Sequence, residues 1–382
     1  MKKRILFLAI CLMQFAGNFA NSLQGVLLSD YIAHYNLKSA GQGSLGSFQS
    51  AGCILACILI LILAGRFKRY YLLICSGVFL SAAVLTIGTK PSLPVLLALY
   101  LLLGLGFAST SNLTSSLSTS LYPGSASAMG MAHAFFGAGG LTAPLILKRA
   151  LLSVPWNRVA LLDGAVVSAV LILYLVVLFS SGDVLQSIPE STQKVSFRGI
   201  GQFFARRRNI LLLAATFGYQ AFQNGVSVWM IRYSETELHE TARGALLLSV
   251  FWIGTTVARL LATRLPVSPV RLFSYGCLIS GAIFLPAVLT RSLPLMFAAM
   301  VIAGLSSGAC VPLAYHLAAS WNEGNSLLPT SICSFALFAS MLVTSPITAA
   351  VSTNGVIFGM TAVAVYVLAG GAVLLPLTRG KR

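Results

Sequence analysis

Ile5 to Leu28 reads ILFLAICLMQFAGNFANSLQGVLL, an uncharged, largely apolar run that carries Gln14, Asn18, Asn21 and Gly25 at i, i+4, i+7 and i+11. At ~1.5 Å per residue such a run crosses a hydrocarbon core ~30 Å thick. The four positions fall on one face of a 3.6-residue helix, with Gly17 and Gln24 beside them. Amides are expensive against lipid, so this face is expected to turn toward protein or water.

Working outward, eleven further stretches of spanning length follow, at about 42–64, 71–89, 93–119, 126–147, 158–180, 209–232, 243–264, 271–290, 293–319, 327–350 and 354–376. Hydrophobic residues make up 57% of the 382-residue chain and charged ones only 9%, more apolar surface than a soluble fold buries. The expected class is an all-α polytopic membrane protein of twelve transmembrane helices. Basic loops stay in the cytoplasm. With an even number of spans both termini share one side, and that side collects Lys2 to Arg4, Arg66, Lys68, Arg69, the cations from Lys194 to Arg208, Arg264, Arg271 and the C-terminal group, sixteen against eight opposite. Both termini are therefore expected in the cytoplasm, with the protein in a plasma membrane of the bacterial inner-membrane kind. The net charge of +17 then reflects topology and attraction to lipid headgroups, and no basic run is interleaved with aromatics as a nucleic-acid footprint would need. The first span is too long, and too closely followed by a second, to read as a cleaved signal peptide. The seven cysteines lie inside expected spans without zinc spacing, as small packing residues do.

The longest polar interval, 181–208, divides the chain into an N-terminal bundle at 1–180, a central cytoplasmic loop and a C-terminal bundle at 209–382. Landmarks repeat across that division. Ala64-Gly65-Arg66-Phe67 corresponds to Ala262-Thr263-Arg264-Leu265, and Phe15, Asn18, Gly104, Phe136 and Pro144 correspond to Phe217, Gln220, Gly304, Phe338 and Pro346. Two homologous six-helix halves account for this, and pseudo-symmetric halves of that kind hold a substrate near the bilayer midplane. The stripe of the first span recurs in the seventh as Gln220, Gln223, Asn224 and Ser227. Gln49, Ser109, Asn112, Ser116 and His133 add polar positions to the second, fourth and fifth spans. One amide alone is ordinarily helix–helix glue worth ~0.6–2 kcal/mol. Matched stripes on two helices point further, to substrate contact through Gln14, Asn18, Asn21, Gln24, Gln49, Asn112, His133, Gln220, Gln223 and Asn224. Neutral amides offer a donor and an acceptor together, which suits a hydroxyl-rich small molecule.

Gly65-Arg66-Phe67-Lys68-Arg69 stands where the major facilitator superfamily carries its loop motif between helices two and three, and the chain resembles that superfamily over nearly its whole length. The resemblance implies two bundles around a central cavity lined by helices one and seven, with Arg66, Lys68, Arg69, Arg259 and Arg264 at a cytoplasmic gate. The motif is degenerate, because Gly65 and Thr263 stand where the family carries an Asp, and positive-inside anchoring explains its cations equally well. Arg259, inside the eighth span, is read as a snorkelling or helix-pairing arginine before a substrate contact. Ala20 to Leu28, His133 to Gly139 with Pro144, and Pro312 are similar to patterns of the fucose-galactose-glucose symporter group, the L-fucose permease and sodium-dependent glucose transporter relatives. Where that group carries coupling carboxylates this chain has Gly25 and Ser109, which leaves either facilitated diffusion or coupling through His133 or Asp30. His133 remains open between a neutral substrate ligand, a coupling group and a packing residue.

The expected function is secondary transport of a small polar solute, a sugar or polyol, by alternating access, with a proton or sodium ion as a candidate co-substrate, lipid as surroundings and a monomeric state. Export of amphipathic metabolites or drugs is the rival within transport. A non-transporting receptor or assembly factor is the rival outside it. An enzyme, a metal or a cofactor is not expected, since no P-loop, metal spacing or converging titratable cluster appears in the sequence.

Overall fold

The computed structural model describes residues 2–63, 66–122, 126–186, 197–262, 265–322 and 327–378, and among them the regular structure is helical, without a strand. The α-helices are α1 (Lys2–Asn21), α2 (Leu23–Tyr35), α3 (Ser39–Leu63), α4 (Arg69–Ile87), α5 (Leu93–Leu121), α6 (Ala126–Ala150), α7 (Trp156–Phe179), α8 (Gly182–Gln186), α9 (Phe197–Phe204), α10 (Arg207–Thr236), α11 (Gly244–Leu261), α12 (Pro269–Thr290), α13 (Leu293–Ser307), α14 (Cys310–Trp321), α15 (Leu327–Val351) and α16 (Val356–Thr378). A single 3₁₀ turn, Ser352–Asn354, precedes α16. Two spans are interrupted. The first runs from Lys2 to Tyr35 as one stretch whose α-helix gives way to a single turn residue at Ser22, where the Ser22 hydroxyl donates to the Asn18 carbonyl at 2.9 Å. The tenth runs from Leu293 to Trp321 and breaks at Gly308 and Ala309.

Eleven helical stretches among the described residues are long and apolar enough to cross a membrane. The seventh expected span is present as the 30-residue α10, and it falls outside the eleven for a physical reason. Gln220, Gln223 and Asn224 sit in the middle of its apolar run and dilute it. The stripe that marks the helix as special also hides it from a hydropathy criterion.

The chain forms two compact units, Met1–Asp30 with Phe48–Gln193 and Tyr31–Ser47 with Lys194–Arg382. In the first unit, Leu6, Ile10 and Met13 of α1 pack with Tyr70 and Leu73 of α4, Leu113 and Leu117 of α5, and Leu171 and Tyr174 of α7. Glycines bring α3 and α5 together. A Cβ on Gly52 would overlap the Leu101 carbonyl, and one on Gly104 the Gln49 carbonyl. The second unit repeats the arrangement between α11 and α13, where a Cβ on Gly254 would come within 2.9 Å of the Leu305 nitrogen and 3.1 Å of the Gly304 Cα. Close backbone approach through small residues is the standard means of packing membrane helices, where the hydrophobic effect gives no drive. A polar clamp joins the ends of three helices in the second unit: Glu237 pairs with Arg291 at 3.0 Å and accepts from the Ile357 amide at 3.2 Å, at the start of α16.

Candidate functional site

The amides of the first span are spent unevenly along it. Gln14 and Asn18 are buried at 1% and 0% exposure and committed to neighbouring helices. The Gln14 amide donates to Ser111 Oγ at 3.4 Å, and its carbonyl accepts from Thr114 at 2.5 Å, both on α5. Asn18 donates to the Phe136 carbonyl of α6 at 2.8 Å. One turn further, Asn21 is half-buried, donates to Asn18 Oδ1 at 3.4 Å and accepts from Gln49 of α3 at 2.8 Å. Asn18, Asn21 and Gln49 are linked in one chain of hydrogen bonds reaching α6 and α3, while Gln14 bonds separately to α5. Gln24, in the first turn of α2, is buried and makes no hydrogen bond with another described residue. Asn112 of α5 is half-buried and approaches Cys57 Sγ at 3.8 Å, a weak acceptor. His133 on α6 and Asp30 on α2 are both half-buried.

The amides of α10 are disposed differently. Gln223 is 7% exposed and accepts from its own-helix neighbour Tyr219 at 2.7 Å. Asn224 is half-buried and donates to Ser345 of α15 at 3.4 Å, the long end of the range. Gln220 is half-buried, and its side chain makes no hydrogen bond with another described residue. The bond between α10 and α15 runs the other way: Ser340 of α15 donates to the Phe217 carbonyl at 2.6 Å, and Gln220, the sequence equivalent of Asn18, takes no part in it.

The cations expected at a gate separate into three kinds. Arg66 and Lys68 are exposed, Lys68 lying 5.9 Å from the Tyr70 ring centre. Arg69 is half-buried and donates to Ser116 of α5 at 2.6 Å. Arg259 is only 7% exposed and donates to the Gly308 carbonyl at 3.1 Å, at the point where the tenth span breaks. It pairs helices, and the burial excludes snorkelling to an aqueous edge. Arg264, with Gly65 and Thr263 of the two motif copies, lies outside the described residues. Trp229 and Trp252 are buried at 3% and 2%, which leaves little ring face open.

Several contributors escape a sequence reading. Ser111, Thr114, Ser340 and Ser345 partner the amides, and hydroxyls at helix-facing positions are too common to single out. Arg206 and Arg208 both donate to the Trp321 carbonyl at the end of α14, at 2.6 and 2.5 Å, while Asn209 and Asn322 bond each other reciprocally at 3.0 and 3.2 Å. Their sequence signal is the Arg206-Arg207-Arg208 run, which reads first as positive-inside anchoring.

A family model described as Major Facilitator Superfamily matches residues 10–320. No curated protein matches the chain. Among solved structures, a POT family transporter in complex with a thioalcohol-conjugated peptide aligns with a TM-score of 0.81 at 13% identity, over 98% of this chain and 96% of that one. A bacterial homolog of the human lysosomal transporter Spinster, inward-facing and unoccupied, aligns at 0.73 and 17% over 99% and 97%. The nucleoside transporter NupG aligns at 0.74 and 12% over 97% and 98%. At these identities the likeness establishes the fold.

Proposed function

The chain belongs to the major facilitator superfamily, an integral membrane transporter rather than an enzyme, and from that premise we propose that it carries a neutral, hydroxyl-bearing small molecule, a sugar or polyol, by alternating access. The observation that carries this reading is the pair of uncommitted amides, Gln24 on α2 and Gln220 on α10, which make no hydrogen bond with another described residue. An amide in a spanning segment needs a partner, because an unsatisfied one costs several kcal/mol in hydrocarbon. Water or a polar solute supplies that partner. An amide gives both a donor and an acceptor, so hydroxyl groups complement it on either edge.

In this reading Gln24, Asn21, Asn112, His133, Gln220 and Asn224 contact the solute, while Gln14, Asn18, Gln49 and Gln223 hold the helices that present them. The ribose of a nucleoside, the solute named for one structural neighbour, offers the same hydroxyl chemistry. Both termini lie in the cytoplasm of a bacterial inner membrane in this reading, with a proton or sodium ion as a candidate co-substrate. Purified protein screened by thermal unfolding against sugars, polyols, nucleosides, peptides and amphipathic cations tests the substrate class. A rise in Tm confined to hydroxyl-rich neutral solutes is the expected result. Stabilisation by peptides or amphipathic cations alone would overturn it.

A further inference from the structure

Asp163 lies about two turns into α7, fully buried, and neither of its carboxyl oxygens has a hydrogen-bond partner. It is the one acidic residue fully buried among the described ones, in a chain with eight. Its surroundings follow from the packing of the first unit. Lys2 meets Asp183 at 3.1 Å, and Met13 of α1 shares the space over Gly77 of α4 with Leu171 of α7. α1 and α7 therefore run antiparallel, and the same register sets Asp163 level with Asn21 and Ser22, where α1 meets α2. On α4, Gly77 packs against Leu171, Leu85 against Gly164 and Gly88 against Leu161. Asp163 thus stands level with Leu85, one turn from Ser81, whose buried hydroxyl also lacks a partner.

No cation balances the carboxyl within this seam. The charged and titratable groups of the packed helices are Lys2, Lys3, Arg4 and Cys11 on α1; Arg69, Tyr70, Tyr71 and Cys75 on α4; His133, Lys148 and Arg149 on α6; and Arg158 and Tyr174 on α7, with every lysine and arginine among them toward a helix end. The nearest in register, Arg158 and Lys90, are exposed. An ionised carboxylate without a donor or counter-ion is far costlier in apolar packing than its neutral acid. An ionisable side chain kept at such depth in a spanning helix points to function.

We propose that Asp163 is a proton-binding site whose occupancy sets the conformation of the seam formed by α1, α4 and α7. In the closed seam the carboxyl holds its proton. Release transfers that proton to water, the bonding electron pair stays on the carboxylate, and the resulting charge demands hydration that only an opened seam provides. The junction of α1 and α2 at Ser22 lies on the same level, one residue from Asn21, so protonation and the amide chain act on a single element. The ligand is the proton alone, a separate matter from which solute is carried.

Infrared difference spectra of the full-length protein in vesicles, taken across a pH jump, test this without any solute. The expected result is a protonated-carboxyl carbonyl band at acid pH that disappears at alkaline pH and is missing from Asp163→Asn. Asp163→Glu should retain a band at a shifted frequency. Hydrogen–deuterium exchange, corrected for the intrinsic pH dependence, should rise at alkaline pH in peptides covering residues 81–88 and 156–164 of the wild type and stay constant in Asp163→Asn. No protonated-carboxyl band in the wild type, a band that persists in Asp163→Asn, or the same exchange response in both proteins would overturn the proposal. If neither variant folds, aspartate labelled with carbon-13 at its side-chain carboxyl makes the assignment, and a wild-type band that does not shift with the label overturns the proposal.

Discussion

The first span and α10 carry the same polar periodicity and use it in opposite ways. Gln14 and Asn18 are sealed inside the first unit and bonded to α5 and α6, whereas Gln220, the repeat equivalent of Asn18, bonds to no other described side chain or backbone group. The cross-helix bonds differ in direction: Asn18 of α1 donates to the Phe136 carbonyl of α6, whereas Ser340 of α15 donates to the Phe217 carbonyl of α10 and leaves Gln220 out of the contact. The proposed division of the two stripes into helix-holding and solute-contacting amides therefore follows hydrogen-bond commitment, not spacing.

The largest expected effect lies on the committed side. Asn18→Ala leaves the Phe136 carbonyl short of a donor inside the bundle, which should cost ~1–3 kcal/mol of stability and lower Tm measurably in detergent. Solute affinity of the fraction that remains folded should be little changed. A variant with wild-type Tm and lost binding would break the division. On the open side, Gln220→Ala should leave stability within ~0.5 kcal/mol, as a site without partners does, yet weaken binding of the solute found in the thermal screen by ~1–3 kcal/mol, roughly 5- to 150-fold. Calorimetric titration measures that loss.

Most of the fold is readable from hydropathy and charge, because lipid forces every span to be a long apolar helix. The internal repeat is readable too, and it reappears as glycine crossings at Gly52 with Gly104 and at Gly254 with Gly304. What escapes the sequence is commitment. Asn18 and Gln220 are equivalent in pattern, and only their hydrogen-bond partners in the folded chain tell them apart. Arg259 illustrates the same limit. Its depth suggests snorkelling or pairing, and the break at Gly308 that absorbs its donor has no sharper mark than a glycine and an alanine. Asp163 is visible as an intramembrane acid, but its lack of any donor depends on what three helices place around it.

Asn224 is the intermediate case and makes the finest test. Its bond to Ser345 is 3.4 Å long, and the residue is half-buried, so it is partly committed to α15 and partly open. Were it glue alone, Asn224→Ala and Ser345→Ala would each lose the same small increment, ~0.6 kcal/mol for an average interhelical hydrogen bond, and the double variant would lose no more. Were it a ligand as well, the two single variants would agree in Tm and part in affinity. The expected outcome is the second: matching, small drops in Tm, with a further loss of binding for Asn224→Ala that Ser345→Ala does not reproduce. A double-mutant cycle read both by unfolding and by titration separates the two quantities. Equal affinities in the two single variants would move Asn224 to the structural side, and the open part of the α10 stripe would shrink to Gln220.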